Sequence, residues 1–183
     1  RDEPGYRIEV EGAATFRVAG DGTAIVRSPV LTGDPGVPCP VDEEVFLGPA
    51  LLLALALRAT FTLHASAIAY AGRAVLFAGD SGAGKSTLAA ALARIQSRGA
   101  TRLADDIVPV SIRGGRLVAW SDYPQLKLPP DAQVGTDPVL EPFLPIAAVY
   151  MLDEPPPIAG PDRLEITALA PRDALLAIVR HTV

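Results

Sequence analysis

The sequence predicts an α/β fold, a mixed sheet with flanking helices preceded by a β-rich N-terminal layer. Two observations lead to this prediction. Residues 6–30 alternate apolar and polar side chains between glycines, a pattern typical of short antiparallel strands. Farther along, the apolar segment 74–78 enters a glycine-rich loop, and the helix-forming segment 86–98 follows the loop directly.

The other elements follow from the same local signals. The acidic residues at 42–44 predict the start of an apolar helix that ends near Arg58 and is buried nearly all round. Residues 62–70 predict a strand that turns at 71–73 into the strand before the loop, and Gly99 is the predicted cap of the helix after it. Further strands are predicted at 101–104, 107–112, 117–120, 145–152 and 164–169, and a helix opened by proline at 171–180.

The predicted domain organisation has two parts. Residues 1–41 form a β-rich accessory segment, and residues 42–183 form the domain that carries the glycine-rich loop. The chain stops in or just after a predicted helix, which leaves open that the native protein continues beyond Val183.

Composition and charge narrow the functional classes. At 183 residues and 49% hydrophobic content the chain can bury a sizeable core. Its net charge is −5, and no cluster of lysine and arginine occurs, so a nucleic-acid partner is not expected. The single cysteine, Cys39, provides neither a disulfide framework nor a zinc site.

Membrane insertion and export are also not expected. The long apolar segment 45–70 is interrupted by Pro49 and Arg58, so it predicts a buried helix and a strand instead of a membrane span. The first eleven residues are polar and do not resemble a signal peptide, which makes a cytoplasmic location the expectation. A homo-oligomer is left open.

The glycine-rich loop carries the strongest functional signal. Gly79, Gly84, Lys85 and Ser86 satisfy the P-loop (Walker A) pattern G-x4-G-K-[ST], and the loop lies between a predicted strand and a predicted helix, as this motif requires. Its amide groups can cradle phosphates, Lys85 can bridge the β- and γ-phosphates, and the Ser86 hydroxyl can ligate Mg²⁺. We therefore expect ATP and Mg²⁺ as cofactors, bound by Gly79, Asp80, Ser81, Gly82, Ala83, Gly84, Lys85, Ser86 and Thr87.

An acidic pair follows the loop helix after one short strand. A right-handed strand-helix-strand crossover would bring Asp105 and Asp106 to the same edge of the sheet as the loop. One carboxylate could then hold Mg²⁺ while the other reaches toward an incoming hydroxyl. A structural cap or turn is the alternative for this pair.

Two histidines and one lysine leave more than one interpretation open. His64 begins the strand that precedes the loop strand, where a histidine can be an ordinary core or edge residue or a functional one. His181 lies in no motif and is predicted to be a surface residue. Lys127 precedes two prolines, and a solvated lysine is the alternative to a second phosphate contact.

Four segments together resemble the catalytic domain of HPr kinase/phosphorylase. They are Leu63-His64-Ala65-Ser66-Ala67, the loop itself, Arg98-Gly99, and Leu103-Ala104-Asp105-Asp106. The resemblance implies an HPr-kinase-like P-loop fold, related to that of phosphoenolpyruvate carboxykinase, in which His64, Lys85, Ser86, Asp105 and Asp106 surround the phosphates. It further implies phosphorylation of a serine, with Asp105 as the base and with Asp106 and Ser86 on Mg²⁺.

The chain departs from that family downstream of the acidic pair. The second signature of the family, a segment rich in glutamate, arginine and glycine, is replaced here by Tyr123-Pro124-Gln125-Leu126-Lys127-Leu128. The chain looks more like the shorter HPr-kinase-like proteins of bacteria, some of which resemble serine kinases that act on ribosomally made peptides such as lasso-peptide precursors.

The leading functional hypothesis is an ATP-dependent kinase that transfers the γ-phosphoryl group to a hydroxyl, with a serine of a peptide or small protein as the first choice of acceptor. The alternatives are a nucleotide-binding regulatory ATPase or switch without an acceptor, and a phosphate transfer of the phosphoenolpyruvate carboxykinase type. The residues alone identify neither the acceptor nor the oligomeric state. They also do not decide which aspartate is the base or whether phosphorolysis or phosphatase activity exists.

Overall fold

The structure is a computed structural model that describes residues 5–11, 14–28, 40–95, 99–121, 123, 141–153 and 164–183. The chain divides into two compact units, Arg1–Thr62 and Leu63–Val183. This division groups residues 42–62 with the N-terminal strands, whereas the sequence-based domain boundary lies after residue 41. That domain boundary stays a prediction.

The first unit contains a three-stranded antiparallel sheet. Strands β1 (Gly5–Ile8), β2 (Thr15–Ala19) and β3 (Ile25–Ser28) lie in that order, as the alternating pattern predicts. In β2 the side chains of Phe16 and Val18 are buried and that of Arg17 between them is exposed. One apolar face of the sheet therefore forms the core of this unit, together with Ala14, Val45, Ala50 and Ala54.

The helical segment of the first unit is not the single buried helix that the sequence predicts. It consists of α1 (Pro40–Val45), a π-helical turn (Phe46–Ala50) and α2 (Leu51–Leu57). Gly48 leaves helical geometry with φ −88° and ψ −111°, directly before Pro49, which has no N–H to donate. The prediction of burial nearly all round is also wrong, because α2 buries Ala54 and Leu55 but leaves Ala56 exposed.

The second unit is built on a five-stranded mixed sheet. Strands β4 (Phe61–Tyr70), β5 (Arg73–Gly79), β6 (Thr101–Arg113), β7 (Arg116–Trp120) and β8 (Phe143–Leu152) follow the order β4-β5-β8-β7-β6 and close into a barrel. Strands β5 and β8 are parallel, whereas β4–β5, β8–β7 and β7–β6 are antiparallel. Strands β5 and β6 consequently run in the same direction, as the sequence predicts for the strands before and after the loop helix.

The core of the barrel is filled largely by small side chains. A barrel of five strands has little internal volume, and alternate residues of β4 point into it. The buried cluster consists of Leu63, Ala65, Ala67, Ala69, Ala74, Leu76, Ala78, Leu103, Ala104, Val108, Val110, Ala119 and Leu144. The run of alanines in β4 and β5 thus reflects the narrow interior of the barrel.

Two helices accompany the barrel in the described residues. Helix α3 (Lys85–Arg94) places Leu88 and Leu92 against a second cluster that contains Ile68 and Phe77. Helix α4 (Pro171–Arg180) begins with proline at its first turn, as predicted, and Ile178 packs against the barrel core.

Three elements differ from the sequence predictions. Helix α3 ends at Arg94, since Ile95 already has φ −78° and ψ 73°, and Gly99 adopts φ 64° in the turn before β6 without capping the helix. Strand β6 runs without interruption through both aspartates. The predicted strand at 164–169 is not formed, and Leu164 is 85% exposed, because this stretch pairs with no other strand in the described part of the chain.

Candidate active site

The candidate site lies at the end of the barrel where β5 becomes the glycine-rich loop. Strand β4 runs antiparallel beside β5, and Ala65 pairs with Ala78, the residue before Gly79. This register places the first residues of β4 next to the base of the loop. His64 and Ser66 are two residues apart on β4, so they share one face of the strand.

The backbone of the loop depends on glycine at two positions. Gly79 has φ 149°, and a Cβ atom there would lie 2.6 Å from the carbonyl oxygen of Leu152 in β8. Gly84 has φ 90° and directly precedes α3, whose first helical bond runs from the N–H of Leu88 to the carbonyl of Gly84 at 2.9 Å. Both conformations suit glycine far better than any residue with a side chain.

Lys85 is buried and held by the loop itself. Only 7% of the residue is exposed, and its Nζ donates to the carbonyl oxygens of Gly79 at 2.8 Å and Asp80 at 2.9 Å. An ammonium group has three N–H donors. Lys85 can therefore keep both bonds and direct its remaining N–H toward a phosphate at the amino end of α3.

The mouth of the loop is accessible to a ligand. Ser81, Gly82, Ser86 and Thr87 are exposed, and a Cβ atom built on Gly82 or Gly84 meets no atom within 4 Å. The first amide groups of a helix have no partner within the helix and carry a partial positive charge. The open space in front of α3 is therefore suited to a phosphate group.

Asp105 belongs to a cluster of buried polar side chains. The Ser66 hydroxyl donates to Oδ1 of Asp105 at 2.6 Å, and Nη2 of Arg102 donates to Oδ2 at 2.5 Å. The Ser66 hydroxyl also lies 3.4 Å from the Ser86 hydroxyl. Strand β4 thus links the acidic strand to the first turn of α3, and Arg102 balances the charge of the buried carboxylate.

Asp106 points to a different neighbour. Its φ of 91° departs from regular strand geometry, and its Oδ1 lies 3.1 Å from Nε2 of His64. The two side chains are 29% and 39% exposed, so solvent or a second molecule can reach them. The adjacent aspartates are therefore divided between the Ser66–Ser86 side of the site and the His64 side.

The end of α4 also contacts this region. The N–H of His64 donates to the carbonyl of His181 at 2.8 Å, and Nη2 of Arg180 lies 3.1 Å from Oδ2 of Asp80 in the loop. Burial lowers the pKa of His181, with the charges of Arg180, Lys85 and His64 acting in the same direction and that of Asp80 opposing them. His181, predicted to be a surface residue, is half-buried and lies beside the loop, a position that the sequence did not predict.

Sequence reasoning overlooked Ser66, Arg102 and the contacts of Arg180 and His181. Ser66 had a recognisable signal, since it lies two residues after His64 on the same strand face. The contacts of Arg180 and His181 gave no local signal, because the Arg180–Asp80 pair spans 100 residues of sequence. Lys127 and Cys39 lie outside the described residues.

The oxygen donors of the site suit magnesium. In the described part of the chain, no three His, Cys, Asp or Glu side chains converge into a metal-binding group. Magnesium, however, commonly takes only one or two protein ligands together with phosphate oxygens and water. The exposed Ser86 hydroxyl and the Asp105 carboxylate, linked through Ser66, fit that requirement.

No helix within the described ranges is both long and apolar enough to span a membrane.

Comparison with known proteins yields a distant structural similarity. No protein-family model and no curated protein matches the sequence. Among solved structures, the chain is similar to the HPr(Ser) kinase/phosphatase from Coxiella burnetii, with 20% sequence identity and a TM-score of 0.37. The match covers 56% of this chain and 65% of that chain, so this chain spans less than two thirds of the length of its structural relative.

Proposed function

We propose that the chain is an ATP-dependent kinase that transfers the γ-phosphoryl group to a hydroxyl, with a serine of a peptide or small protein as the acceptor. One observation carries the proposal. A P-loop lysine, a hydroxyl–carboxylate cluster and a histidine–aspartate pair meet at one end of the barrel, around Lys85, Asp105 and Asp106. Phosphoryl transfer requires these three kinds of group: one to bind phosphates, one to hold a metal and one to receive a proton.

Nucleotide binding rests on the loop and the amino end of α3. The amides of Gly82 and of residues 84–87 can donate to phosphate oxygens, whereas that of Ala83 donates to the Asp80 carbonyl. Lys85 can add a third bond while it stays anchored to the loop. The preference for ATP over other nucleotides belongs to the proposal, since phosphate contacts alone do not select a base.

The metal side of the site is assigned to Ser86 and Asp105. When bound, Mg²⁺ would neutralise charge on the β- and γ-phosphates during transfer. Ser86 lies at the start of α3, and Asp105 is connected to it through the Ser66 hydroxyl. This proposal reverses the roles that the sequence resemblance implies for the two aspartates.

The proton-accepting side of the site is assigned to Asp106. Its carboxylate is partly exposed, so an acceptor hydroxyl can approach it. Nε2 of His64 lies 3.1 Å from Oδ1 of Asp106, so an N–H there can donate to the carboxylate and fix its orientation. His64 is itself held at the site by the bond between its backbone N–H and the carbonyl of His181.

The proposed reaction is a direct displacement. The oxygen of the acceptor hydroxyl forms a bond to the γ-phosphorus while the bond between that phosphorus and the bridging oxygen of ADP breaks. The hydroxyl proton passes to Asp106, and ADP leaves with the electron pair of the broken bond. Most of the rate enhancement in such a reaction comes from positioning and charge neutralisation.

A regulatory nucleotide switch is the second candidate, and one contact favours it. The Arg180–Asp80 pair joins the phosphate loop to the end of α4. Nucleotide binding at the loop could thereby change the position of a helix without any acceptor being phosphorylated.

Mass spectrometry distinguishes the two functions. The protein is incubated with ATP and Mg²⁺, alone and with serine-containing peptides, and each peptide is examined for an added phosphate group of about 80 Da that depends on ATP. A phosphorylated serine supports the kinase. Tight ATP binding without transfer to any peptide, protein or small hydroxyl compound would favour the switch instead.

A further inference from the structure

Ser66 is a buried hydroxyl that neither the loop motif nor the acidic pair includes. The residue is 0% exposed and lies in β4 between Ala65 and Ala67, which both face the barrel core. Burying a hydroxyl is unfavourable unless it forms hydrogen bonds, and alanine is the usual residue in this part of the strand. The hydroxyl has therefore lost its contact with water, and hydrogen bonds to neighbouring polar groups compensate for that loss.

The bonds of Ser66 connect two groups of the proposed metal side. A hydroxyl has one hydrogen to donate, and that of Ser66 goes to Oδ1 of Asp105 at 2.6 Å. Toward Ser86, at 3.4 Å, Ser66 therefore acts as the acceptor. This second contact is longer than a strong O–H···O bond, so it orients the Ser86 hydroxyl without holding it tightly.

The carboxylate that Ser66 contacts is restrained from both sides. Arg102 binds the other oxygen of Asp105 at 2.5 Å, so the two donors together fix the plane of the carboxylate group. Arg102 lies on the same strand as Asp105, three residues before it. Ser66 comes from a different strand, β4, and so relates the carboxylate to the loop helix.

We propose that Ser66 is a positioning residue that sets the distance between the Asp105 carboxylate and the Ser86 hydroxyl for a Mg²⁺ ion bound with the nucleotide. This inference rests on the proposed function, because it requires nucleotide and metal at the loop. Groups that orient metal ligands in this way typically change metal affinity by about 10–100-fold when they are removed.

The test measures how strongly Mg²⁺ enhances nucleotide binding. A fluorescent ATP analogue is titrated into wild-type protein and the Ser66→Ala variant at a series of Mg²⁺ concentrations and in EDTA. We expect Ser66→Ala to raise the Mg²⁺ concentration at half-maximal enhancement by about 10-fold or more, with unchanged affinity in EDTA. Ser66→Thr, which retains a hydroxyl, should restore most of the enhancement.

A matched control is the Ser111→Ala variant. Ser111 is a buried serine of β6 that accepts a bond from Nε1 of Trp120 at 3.0 Å. Its loss removes a buried hydroxyl of the same barrel without touching Asp105, so the Mg²⁺ response should match that of wild type. If Ser66→Ala does not fold, Ser66→Cys keeps nearly the same volume with a weak donor and should still weaken the Mg²⁺ response.

Three results separate the possibilities. An unchanged Mg²⁺ response in the folded Ser66→Ala and Ser66→Cys variants overturns the inference and leaves the proposed function intact. Equal loss of affinity with Mg²⁺ and in EDTA also overturns it, since the hydroxyl would then support the loop and not the metal. If wild-type protein itself binds no nucleotide, the proposed function fails and the inference fails with it.

Discussion

At the scale of single residues, an unusual backbone conformation at Asp106 allows two neighbouring aspartates to contact the same strand, β4. A non-glycine residue with a φ of 91° is uncommon, although aspartate tolerates positive φ better than most residues. Adjacent residues of a regular strand point to opposite faces, but Ser66 and His64 share one face of β4, and the positive φ of Asp106 lets both carboxylates reach that face. Asp105 meets Ser66 and Arg102, whereas Asp106 meets His64.

Amide substitutions of the two aspartates should therefore have different effects. Asp106→Asn should leave Mg²⁺-dependent nucleotide binding close to wild type and slow phosphoryl transfer by about 100-fold or more, because it removes the proton acceptor. Asp105→Asn should weaken the Mg²⁺ enhancement of nucleotide binding. Equilibrium binding and transfer rates, measured on the same preparations, distinguish the two effects.

Asp173→Asn is the matched control, since Asp173 is an exposed aspartate in the first turn of α4, at the opposite end of that helix from Arg180. It should change neither quantity. The opposite pattern, with Asp106→Asn losing the Mg²⁺ response and Asp105→Asn losing only transfer, would restore the roles implied by the family resemblance.

At the scale of secondary-structure elements, the strand–loop–helix unit was the easiest part to predict. Its signals lie within 22 consecutive residues of sequence, from Arg73 to Arg94 in β5 and α3, except that the helix ends earlier than predicted. The predicted strand at 164–169 is not formed, because a strand depends on a partner that can lie far away in the sequence. A strand needs a partner, and the alternation of a short segment does not show whether one is present.

The helix predicted to end near Arg58 does end there, but it is interrupted and only partly buried. The Ala and Leu run is a good helix former, and α2 does form there. Gly48 and Pro49 nevertheless interrupt the segment before it, and packing against one sheet buries only part of its surface. Burial is a property of the neighbours of a helix as well as of its own side chains.

The junction between β5 and the loop supports a prediction about stability. Gly79→Ala should lower the free energy of unfolding by about 3 kcal/mol, because the new Cβ atom would strike the Leu152 carbonyl and the backbone has φ 149°. The control Gly72→Ala, in the β4–β5 turn, has φ 71° but open space around the new Cβ, so about 1 kcal/mol is expected. Urea unfolding followed by circular dichroism measures both, and equal losses would show that the close approach of β8 does not constrain the loop.

At the scale of the whole molecule, the described side chains of the candidate site all belong to the unit Leu63–Val183. The sequence could predict the loop and the acidic pair, since each is a contiguous motif. It could not predict Ser66 as the partner of Asp105, 39 residues away, or the contact of Arg180 with the loop. Such pairs exist only after the barrel closes and α4 returns to the start of β4.

The net negative charge of the molecule makes the positive groups at the candidate site important for an anionic ligand. The chain carries a net charge of −5, which disfavours the approach of an anionic nucleotide. The proposed nucleotide binding would therefore depend on a local concentration of positive charge and amide donors. Lys85, the amino end of α3 and Arg180 supply it at the candidate site.

The measurement that tests the central claim most directly is ATP binding by isothermal titration calorimetry in the presence of Mg²⁺. We expect wild-type protein to bind one ATP per chain and Lys85→Ala to bind at least about 10-fold more weakly, because the substitution removes a buried charged donor facing the phosphates. Arg94→Ala, at the far end of α3, serves as the control and should bind like wild type. Absence of binding to wild-type protein, or equal binding by Lys85→Ala, would contradict the assignment of the loop as a nucleotide site.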